Sequence, residues 1–327
     1  MAASAQRSLL EHRLVIVTGK GGTGKTTVSA TLALAAARAG LRALVIEMGP
    51  GEQIPRLLDP QAPLAGYAGC EILPGLRAMR IDPFEALAEY LGLQLGVRAI
   101  VDAVVRNKAF RQLMTASPGW RELITLGKIW HLAQLDAKDA SGHRFDLIVV
   151  DAPATGHGVA FLDVPRVVIS AVRAGPLRAN AQRVERLLED PDQTLVLPVA
   201  LAEELPAREI AELTDRVRNE MSISIDRVIV NAVVGPPFPD ELPDLDEALA
   251  RLDGDLALGA LPPPRVLARC AHYLRSRHEL NRRFTAEIQE TTGLPIVELP
   301  RLPEGIQGPD QISSLMSALL ADPAFLA

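Results

Sequence analysis

A glycine-rich run at residues 19–26 reads G-K-G-G-T-G-K-T and lies between an apolar stretch, Leu14–Thr18, and an alanine-rich helical pattern over residues 26–38. The spacing G-x-x-x-x-G-K-[ST] between a strand and a helix is typical of a loop whose backbone N–H groups surround a phosphate. The dipole of the following helix adds positive potential at the same point. The run therefore predicts a strand, a phosphate-binding loop and a helix in that order.

Two side chains of this loop have expected roles of their own. Lys25 is placed to reach the β- and γ-phosphates of a nucleotide, and the Thr26 hydroxyl is placed to bind Mg²⁺. We therefore expect ATP or ADP with Mg²⁺ as the cofactor. The residues expected to contact it here are Gly21, Gly22, Thr23, Gly24, Lys25, Thr26 and Thr27.

Short apolar runs alternate with longer helical patterns along most of the chain. After Leu14–Thr18, the strand candidates are residues 43–46, 77–81, 147–150, 194–199, 227–233 and 296–299, and a long helix is predicted over residues 265–289. Strands that are apolar on both faces and separated by helices indicate a parallel sheet with both faces covered. The predicted fold class is α/β, a P-loop NTPase with a mostly parallel sheet covered by helices on both faces, forming one domain over residues 1–327.

Residues 83–140 interrupt this alternation, because they contain no convincing strand and read as several helices. Gly92, Gly96 and residues 117–119 are the expected breaks between them. Between Phe84 and Val105 there are too many apolar side chains for one amphipathic face, so these helices must be buried on more than one side. We predict a helical subdomain inserted within the ATPase domain.

Composition limits the partners and the compartment. The formal net charge is −6, so no nucleic acid is expected as a partner. The two cysteines, Cys70 and Cys270, suit free thiols in a reducing cytosol. Residues 1–11 lack the apolar region of a secretory signal, and we find no run of about 18 uncharged apolar residues that would span a membrane. The expected location is cytoplasmic.

A second acidic position follows the apolar run at residues 147–150. Asp151 ends this predicted strand, where a carboxylate is suitably placed to hold Mg²⁺ through water. Asp146, at the start of the same strand, is expected to be a surface residue.

These motifs together resemble one family of ATPases. Lys20 inside the phosphate loop is similar to the signature lysine of the deviant Walker A loop in the MinD, ParA and arsenite-pump class. Residues 151–157 read D-A-P-A-T-G-H and resemble switch II of the arsenite-pump ATPase ArsA and of the Get-type ATPase that targets tail-anchored proteins. Pro118-Gly119, Glu203-Glu204 and Asn231 also match the family. The resemblance implies that Lys20 points across a dimer interface and that Asn231 reads adenine.

The sequence departs from this family in three places. Gly49 stands where the family has the aspartate that orients the attacking water, so hydrolysis is expected to be slow, to rely on Glu47 or Glu52, or to need a partner. The residues after Asn231 contain no Cys-x-x-Cys, so no zinc is expected, and two cysteines cannot form a three-thiol arsenite site. The insert contains one methionine, Met114, whereas a groove for varied apolar clients is expected to be Met-rich.

Three functions remain open at this stage. The first is a dimeric ATPase of the ArsA/Get class whose nucleotide state opens and closes the dimer, with Lys20, Lys25, Glu47 and Asp151 as the catalytic candidates. The second is a chaperone or targeting switch with slow turnover for membrane or apolar client proteins. The third, a ParA/MinD-type positioning ATPase, would need a DNA-binding surface or a terminal membrane helix. The partner chain is expected to be either a second copy or a paralogous ATPase.

Overall fold

The chain folds around one eight-stranded sheet in this computed structural model, which describes residues 8–48, 51–95, 98–116, 119–134, 144–153, 158–237 and 264–326. The strands are β1 Leu14–Thr18, β2 Ala43–Glu47, β3 Cys70–Leu73, β4 Leu76–Arg80, β5 Leu147–Asp151, β6 Thr194–Leu201, β7 Val228–Val233 and β8 Ile296–Pro300. Their order across the sheet is β3-β4-β2-β5-β1-β6-β7-β8. All neighbours are parallel except the edge pair of β3 and β4.

Helices cover both faces of this sheet. They are α1 Lys25–Arg38, α2 Ile54–Leu58, α3 Pro83–Leu95, α4 Arg98–Arg106, α5 Lys108–Ala116, α6 Trp120–Ala133, α7 Gly158–Ala171, α8 Pro176–Glu189, α9 Glu204–Asp215, α10 Pro264–Thr292, α11 Pro309–Ala321 and α12 Pro323–Leu326. A single turn at Leu9–Glu11 precedes β1, and a π-helical turn at Arg216–Glu220 extends α9.

Successive residues of the central strands point to opposite faces and so enter two different cores. Leu14 and Ile16 of β1 pack with α6, α7, α8, α9 and α10, whereas Val15 and Val17 pack with α1, α2, α11 and α12. A strand that is apolar at every position is what a sheet buried on both sides requires. The predicted α/β fold class is confirmed, and the seven predicted strands are present to within two residues.

Two sequence expectations about local structure were wrong or incomplete. Gly92 lies inside α3 and does not break it, because Phe84 and Leu87 of the same helix pack against α4 and Trp120 of α6. Strand β3 was not predicted, since Cys70–Leu73 is short and only Ile72 is buried. Gly96, residues 117–118 and residues 135–143 lie outside the described residues. The boundary of the insert at residues 83–140 therefore remains a prediction.

The inserted helices have a small core of their own. Phe84, Leu87, Val101, Val105 and Trp120 pack together, and the Phe84 and Trp120 ring centroids are 4.9 Å apart. By contrast, α5 contributes no buried side chain among its described residues, and Leu113 is 65% exposed. The insert is thus well packed at α3 and α6 and loosely packed at α5.

A buried arginine ties the C-terminal helix to the sheet. Arg227 is fully buried, pairs with Asp226 at 2.9 Å, and donates to the carbonyl oxygens of Ala324 and Phe325 at 2.6 and 2.7 Å. These bonds satisfy carbonyl groups at the end of α12 that have no partner within the helix. A buried charge with several partners is expensive to remove, because its partners stay buried.

We expect Arg227→Leu to lower the free energy of unfolding by about 3 kcal/mol, since it removes the buried donor of two carbonyl oxygens at the end of α12. Urea denaturation of the full chain measures this loss. The control is Arg216→Ala, because Arg216 forms an exposed i,i+4 pair with Glu220 that is worth less than about 0.5 kcal/mol. Similar losses in the two variants would contradict the anchoring role.

Candidate functional site

The parallel register of three neighbouring strands creates the site. Strand β1 pairs with β5 on one side, and β5 pairs with β2, so that Val17, Asp151 and Glu47 lie side by side at the carboxyl ends. The loop at residues 19–24 leaves this same edge and leads into α1. Ligands of open α/β sheets bind at this edge, because the loops that follow the strands open there.

Two glycines of the loop have a steric reason to be glycine. Gly19 has φ +144° and Gly24 has φ +88°, both in the region that other residues rarely adopt. A side chain on Gly19 would overlap the Val199 carbonyl oxygen, and one on Gly24 would overlap the Asn231 amide. The loop therefore packs its backbone directly against the ends of β6 and β7.

Lys25 is the buried cation of the site. It is 5% exposed, and its Nζ donates to the Lys20 carbonyl oxygen at 2.8 Å. Burial lowers the pKa of Lys25, and the nearby Asp151 carboxylate opposes that shift. Thr23 Oγ1 also donates to the Lys20 carbonyl, at 3.0 Å, and so fixes the turn. A buried ammonium group with a carbonyl oxygen as partner is a place where a bound anion would offset the cost of desolvation.

Asp151 is the buried carboxylate opposite this lysine. Thr26 Oγ1 donates to Asp151 Oδ2 at 2.7 Å, and Ser29 Oγ lies 3.5 Å from Oδ1. Burial raises the pKa of Asp151, although the bond from Thr26 and the charge of Lys25 act against the rise. The predicted pair of magnesium residues, Thr26 and Asp151, is therefore in direct contact. Ser29 was not among the predicted site residues, although its helical spacing from Thr26 places it on the same face of α1.

Glu47 lies beside Asp151 but contacts the backbone at the start of α2. Its carboxylate accepts the backbone N–H groups of Gln53 and Ile54, at 2.9 and 3.2 Å, and so caps α2. Burial raises the pKa of Glu47, and the Asp151 charge adds to the rise. Glu52, the other acid considered near the site, pairs with Arg80 at 3.3 Å and accepts from Gly66 N at 3.3 Å. Gly49 lies outside the described residues.

Lys20 points away from the loop that carries it. Its side chain is 47% exposed, and its Nζ pairs with Glu209 of α9. No sequence signal marked Glu209 as this partner, because the two residues are far apart in the chain and come together only through the β1–β6 pairing. The Lys20 side chain therefore lies at the surface of the chain, although its backbone is part of the phosphate loop.

Asn231 closes the other side of the loop. Its Nδ2 donates to the Thr23 carbonyl oxygen at 2.9 Å, which joins β7 to the phosphate loop. Asn231 and Thr27 also line a pocket of about 360 Å³, which is completed by Pro300 at the end of β8, Arg301 in the loop after it and Leu315 of α11. The expected adenine-reading residue thus lines a pocket beside the phosphate loop. Thr155-Gly156-His157 of the switch II match lies outside the described residues.

No cluster of three or more His, Cys, Asp or Glu side chains suited to a metal occurs within the described part of the chain. The Thr26 and Asp151 pair is a different kind of site, in which a hydroxyl and one carboxylate would share an ion with phosphate oxygens and water. Nor does any described helix combine the length and the hydropathy that crossing a membrane requires.

One family model and three relatives connect this geometry with known proteins. A family model described as Anion-transporting ATPase matches residues 12–179. ATPase BagA of Mycobacterium tuberculosis is 33% identical over 300 residues, which cover 89% of this chain and 86% of that protein. An arsenical pump-driving ATPase of Acidiphilium multivorum is 27% identical over 66% of this chain and 39% of its own length. ATPase get3 of Schizosaccharomyces japonicus is 23% identical over 96% of this chain and 95% of its own.

The pKa directions at this edge predict a pH-dependent stability. Because the pKa of Asp151 is raised by burial, the folded chain holds that proton more tightly than the unfolded chain, and ionisation costs stability. In protein free of nucleotide and divalent metal, Asp151→Asn should therefore melt at a higher temperature than the wild type at neutral pH. The difference should shrink as the pH falls through the raised pKa of Asp151, and it should be gone below about 4, the ordinary pKa of an aspartate.

Asp146→Asn is the matched control with the opposite sign. The Arg42 guanidinium bonds both carboxylate oxygens and holds the pKa of Asp146 at about 2. Stability from Asp146 is thus present at neutral pH and is lost as the pH falls toward 2, so this variant should melt below the wild type at neutral pH. Melting curves from pH 3 to 8 test both variants, and a neutral-pH loss in Asp151→Asn as large as that in Asp146→Asn would contradict the assignment.

Proposed function

This chain belongs to the Anion-transporting ATPase family, and we propose on that basis that it is an ATP-binding and ATP-hydrolysing dimeric switch of the ArsA/Get class. The family membership confirms the resemblance seen in the sequence, and with it the P-loop NTPase fold. Members of the family are ATPases. The observation that carries the proposal for this chain is the contact between the Thr26 hydroxyl and the Asp151 carboxylate beside the buried Lys25 ammonium.

Phosphate binding is the first step that these residues support. The N-terminus of α1 begins at Lys25, so its unpaired N–H groups and its dipole favour an anion there. Lys25 is buried with a carbonyl oxygen as its hydrogen-bond partner, and phosphate oxygens would compensate its desolvated charge. The base would enter the pocket beside Asn231 and Thr27.

The same residues fit Mg²⁺. A hydroxyl and a carboxylate are hard oxygen donors, and the raised pKa of Asp151 means that a nearby cation would stabilise its ionised form. Bound there, Mg²⁺ supplies charge neutralisation on the transferring phosphoryl group. Thr26 would supply its hydroxyl oxygen to the ion, and Asp151 would hold it through water.

The carboxylates nearest the proposed site are poorly placed to activate the attacking water. Glu47 is near Asp151, but its carboxylate already accepts two backbone N–H groups of α2. Glu52 is held by Arg80. With Gly49 at the position where the family carries an aspartate, these contacts support slow turnover, or turnover that depends on a partner.

The dimeric switch rests on Lys20. A lysine that is exposed beside the loop, and paired with Glu209 across the surface, can exchange that carboxylate for a phosphate of a neighbouring subunit. Such an exchange would make the closed dimer depend on the nucleotide, because the γ-phosphate provides the competing charge.

A targeting role for apolar or membrane-protein clients is the second candidate. It is favoured by α5, whose described side chains are not buried and which exposes Leu113. Leu113 on this loosely packed helix is therefore accessible to a partner. A ParA/MinD-type positioning role has no such observation in its favour.

Nucleotide binding is tested by melting the protein with and without Mg·ATP. The wild type should gain stability by mass action, by about 2.7 kcal/mol at a nucleotide concentration 100 times Kd, and Lys25→Ala should lose the gain. Lys108→Ala is the control, because Lys108 is an exposed lysine at the start of α5. An undiminished shift in Lys25→Ala would refute the phosphate site.

Assembly is tested by analytical ultracentrifugation in ADP, in Mg·ATP and without nucleotide. We expect a dimer that depends on Mg·ATP, and we expect Lys20→Ala to reduce ATP hydrolysis at least about tenfold while leaving ADP affinity within about twofold, because Lys20 acts on the partner's phosphates. Glu209→Gln should retain hydrolysis. The dimeric switch would be ruled out if the chain stayed monomeric in all three nucleotide states and formed no complex with a co-purified partner.

A further inference from the structure

A cavity of about 180 Å³ lies between α3, α6 and α8, in the helical layer on one face of the sheet. Leu123, Ile124, Val184 and the Trp130 ring form much of its wall. This cavity is separate from the phosphate loop, which is followed by α1 on the other face. Its volume exceeds that of an engineered apolar cavity of about 150 Å³ that binds benzene. A single aromatic ring or a short acyl chain would fit within it.

Gly127 accounts for part of this space. It lies in the middle of α6, where glycine is less favourable than alanine. A Cβ atom on Gly127 would meet no heavy atom within 4 Å, and its φ is not in the left-handed region. Neither packing nor backbone conformation therefore requires glycine here. The missing side chain leaves room in the cavity wall instead.

The polar groups around the cavity are mostly satisfied by one another. Glu89 accepts two bonds from Lys128, at 2.7 and 2.8 Å, and one from the Tyr67 hydroxyl. Tyr90 accepts from Asn180 Nδ2 at 2.7 Å. The charges of Glu89 and Lys128 thus offset each other within the wall, and the interior of the cavity is chiefly apolar.

The charge that remains at the rim is positive. Arg183 is exposed and lies over the Trp130 ring, with Cζ 5.6 Å from the centroid. His131 also faces the cavity, and burial lowers its pKa, so the imidazole is neutral at pH 7. An apolar cavity with one cation at its rim matches a ligand with an apolar body and one anionic end.

We propose that this cavity binds a small organic carboxylate, whose ring or acyl chain lies against Gly127 and whose carboxylate meets Arg183. Benzoate is the probe, and benzyl alcohol is the neutral probe of nearly the same shape. Equilibrium dialysis of each radiolabelled probe against the full chain should show saturable binding, with benzoate at least fivefold tighter. The Trp130 emission, recorded in a Trp120→Phe background, should change along the same curve.

Four variants locate the site. Gly127→Leu fills the cavity and should weaken benzoate at least tenfold, whereas Gly92→Leu should not, since Gly92 is also helical with open space around its Cβ but lies outside the cavity wall. Gly127→Ala covers the case in which the leucine variant does not fold, and it should raise the melting temperature while weakening benzoate. Arg183→Gln should remove the preference for benzoate over benzyl alcohol.

Lys25→Ala separates this site from nucleotide binding, because it should leave benzoate binding unchanged whether or not the protein binds ATP. Absence of saturable benzoate binding to the wild type would overturn the proposal. So would full benzoate affinity in a folded Gly127→Leu or Gly127→Ala variant. An unchanged preference for benzoate in Arg183→Gln would overturn the carboxylate assignment.

Discussion

The hydrogen bond from Thr26 to Asp151 joins the first turn of α1 to the end of β5, and the site depends on it. It exists because β1 and β5 are neighbours in parallel register, so that the residues following one strand meet the last residue of the other. The adjoining β2 brings Glu47 to the same edge. A one-residue slip in either pairing would turn these side chains to the opposite face of the sheet.

The electrostatic balance of this edge explains why a nucleotide with a divalent cation suits it. Burial shifts the pKa values of Lys25, Glu47 and Asp151 in the direction that disfavours each charge. Phosphate oxygens near Lys25 and a cation near Asp151 would restore both charged forms, and the restored interactions would add to the binding free energy. Without a ligand, the buried charges lower the stability of the chain below what its packing alone would give.

A series of polar contacts leads from this edge to the inserted helices. Glu47 accepts from the N-terminus of α2. Glu52, just before α2, accepts from Gly66 N and pairs with Arg80. Tyr67, next to Gly66, donates to Glu89 of α3. Glu89 then pairs with Lys128 of α6. The segment next to the proposed nucleotide site and the wall of the proposed carboxylate cavity are thus held by neighbouring contacts.

The sequence predicts much of this molecule because its signals are local. The strand, loop and helix around residues 14–38 follow from glycine spacing and apolar runs, and Asp151 follows from its place after a strand. Long-range pairings carry no such signal: Lys20 meets Glu209, and Asn231 bonds Thr23, only because β1, β6 and β7 are adjacent. Gly92 was misread because helix packing outweighed its low propensity.

The most direct test of the proposed Mg²⁺ site at Thr26 and Asp151 is electron paramagnetic resonance with Mn²⁺ in place of Mg²⁺. Titration of the full chain with Mn²⁺ in the presence of ADP should show one bound ion per chain, and the bound signal should require the nucleotide. Thr26→Ala and Asp151→Asn should each weaken that ion, since one removes a hydroxyl ligand and the other removes the charge behind its water. Unchanged Mn²⁺ binding in both variants would contradict the assignment of Thr26 and Asp151 to the metal site.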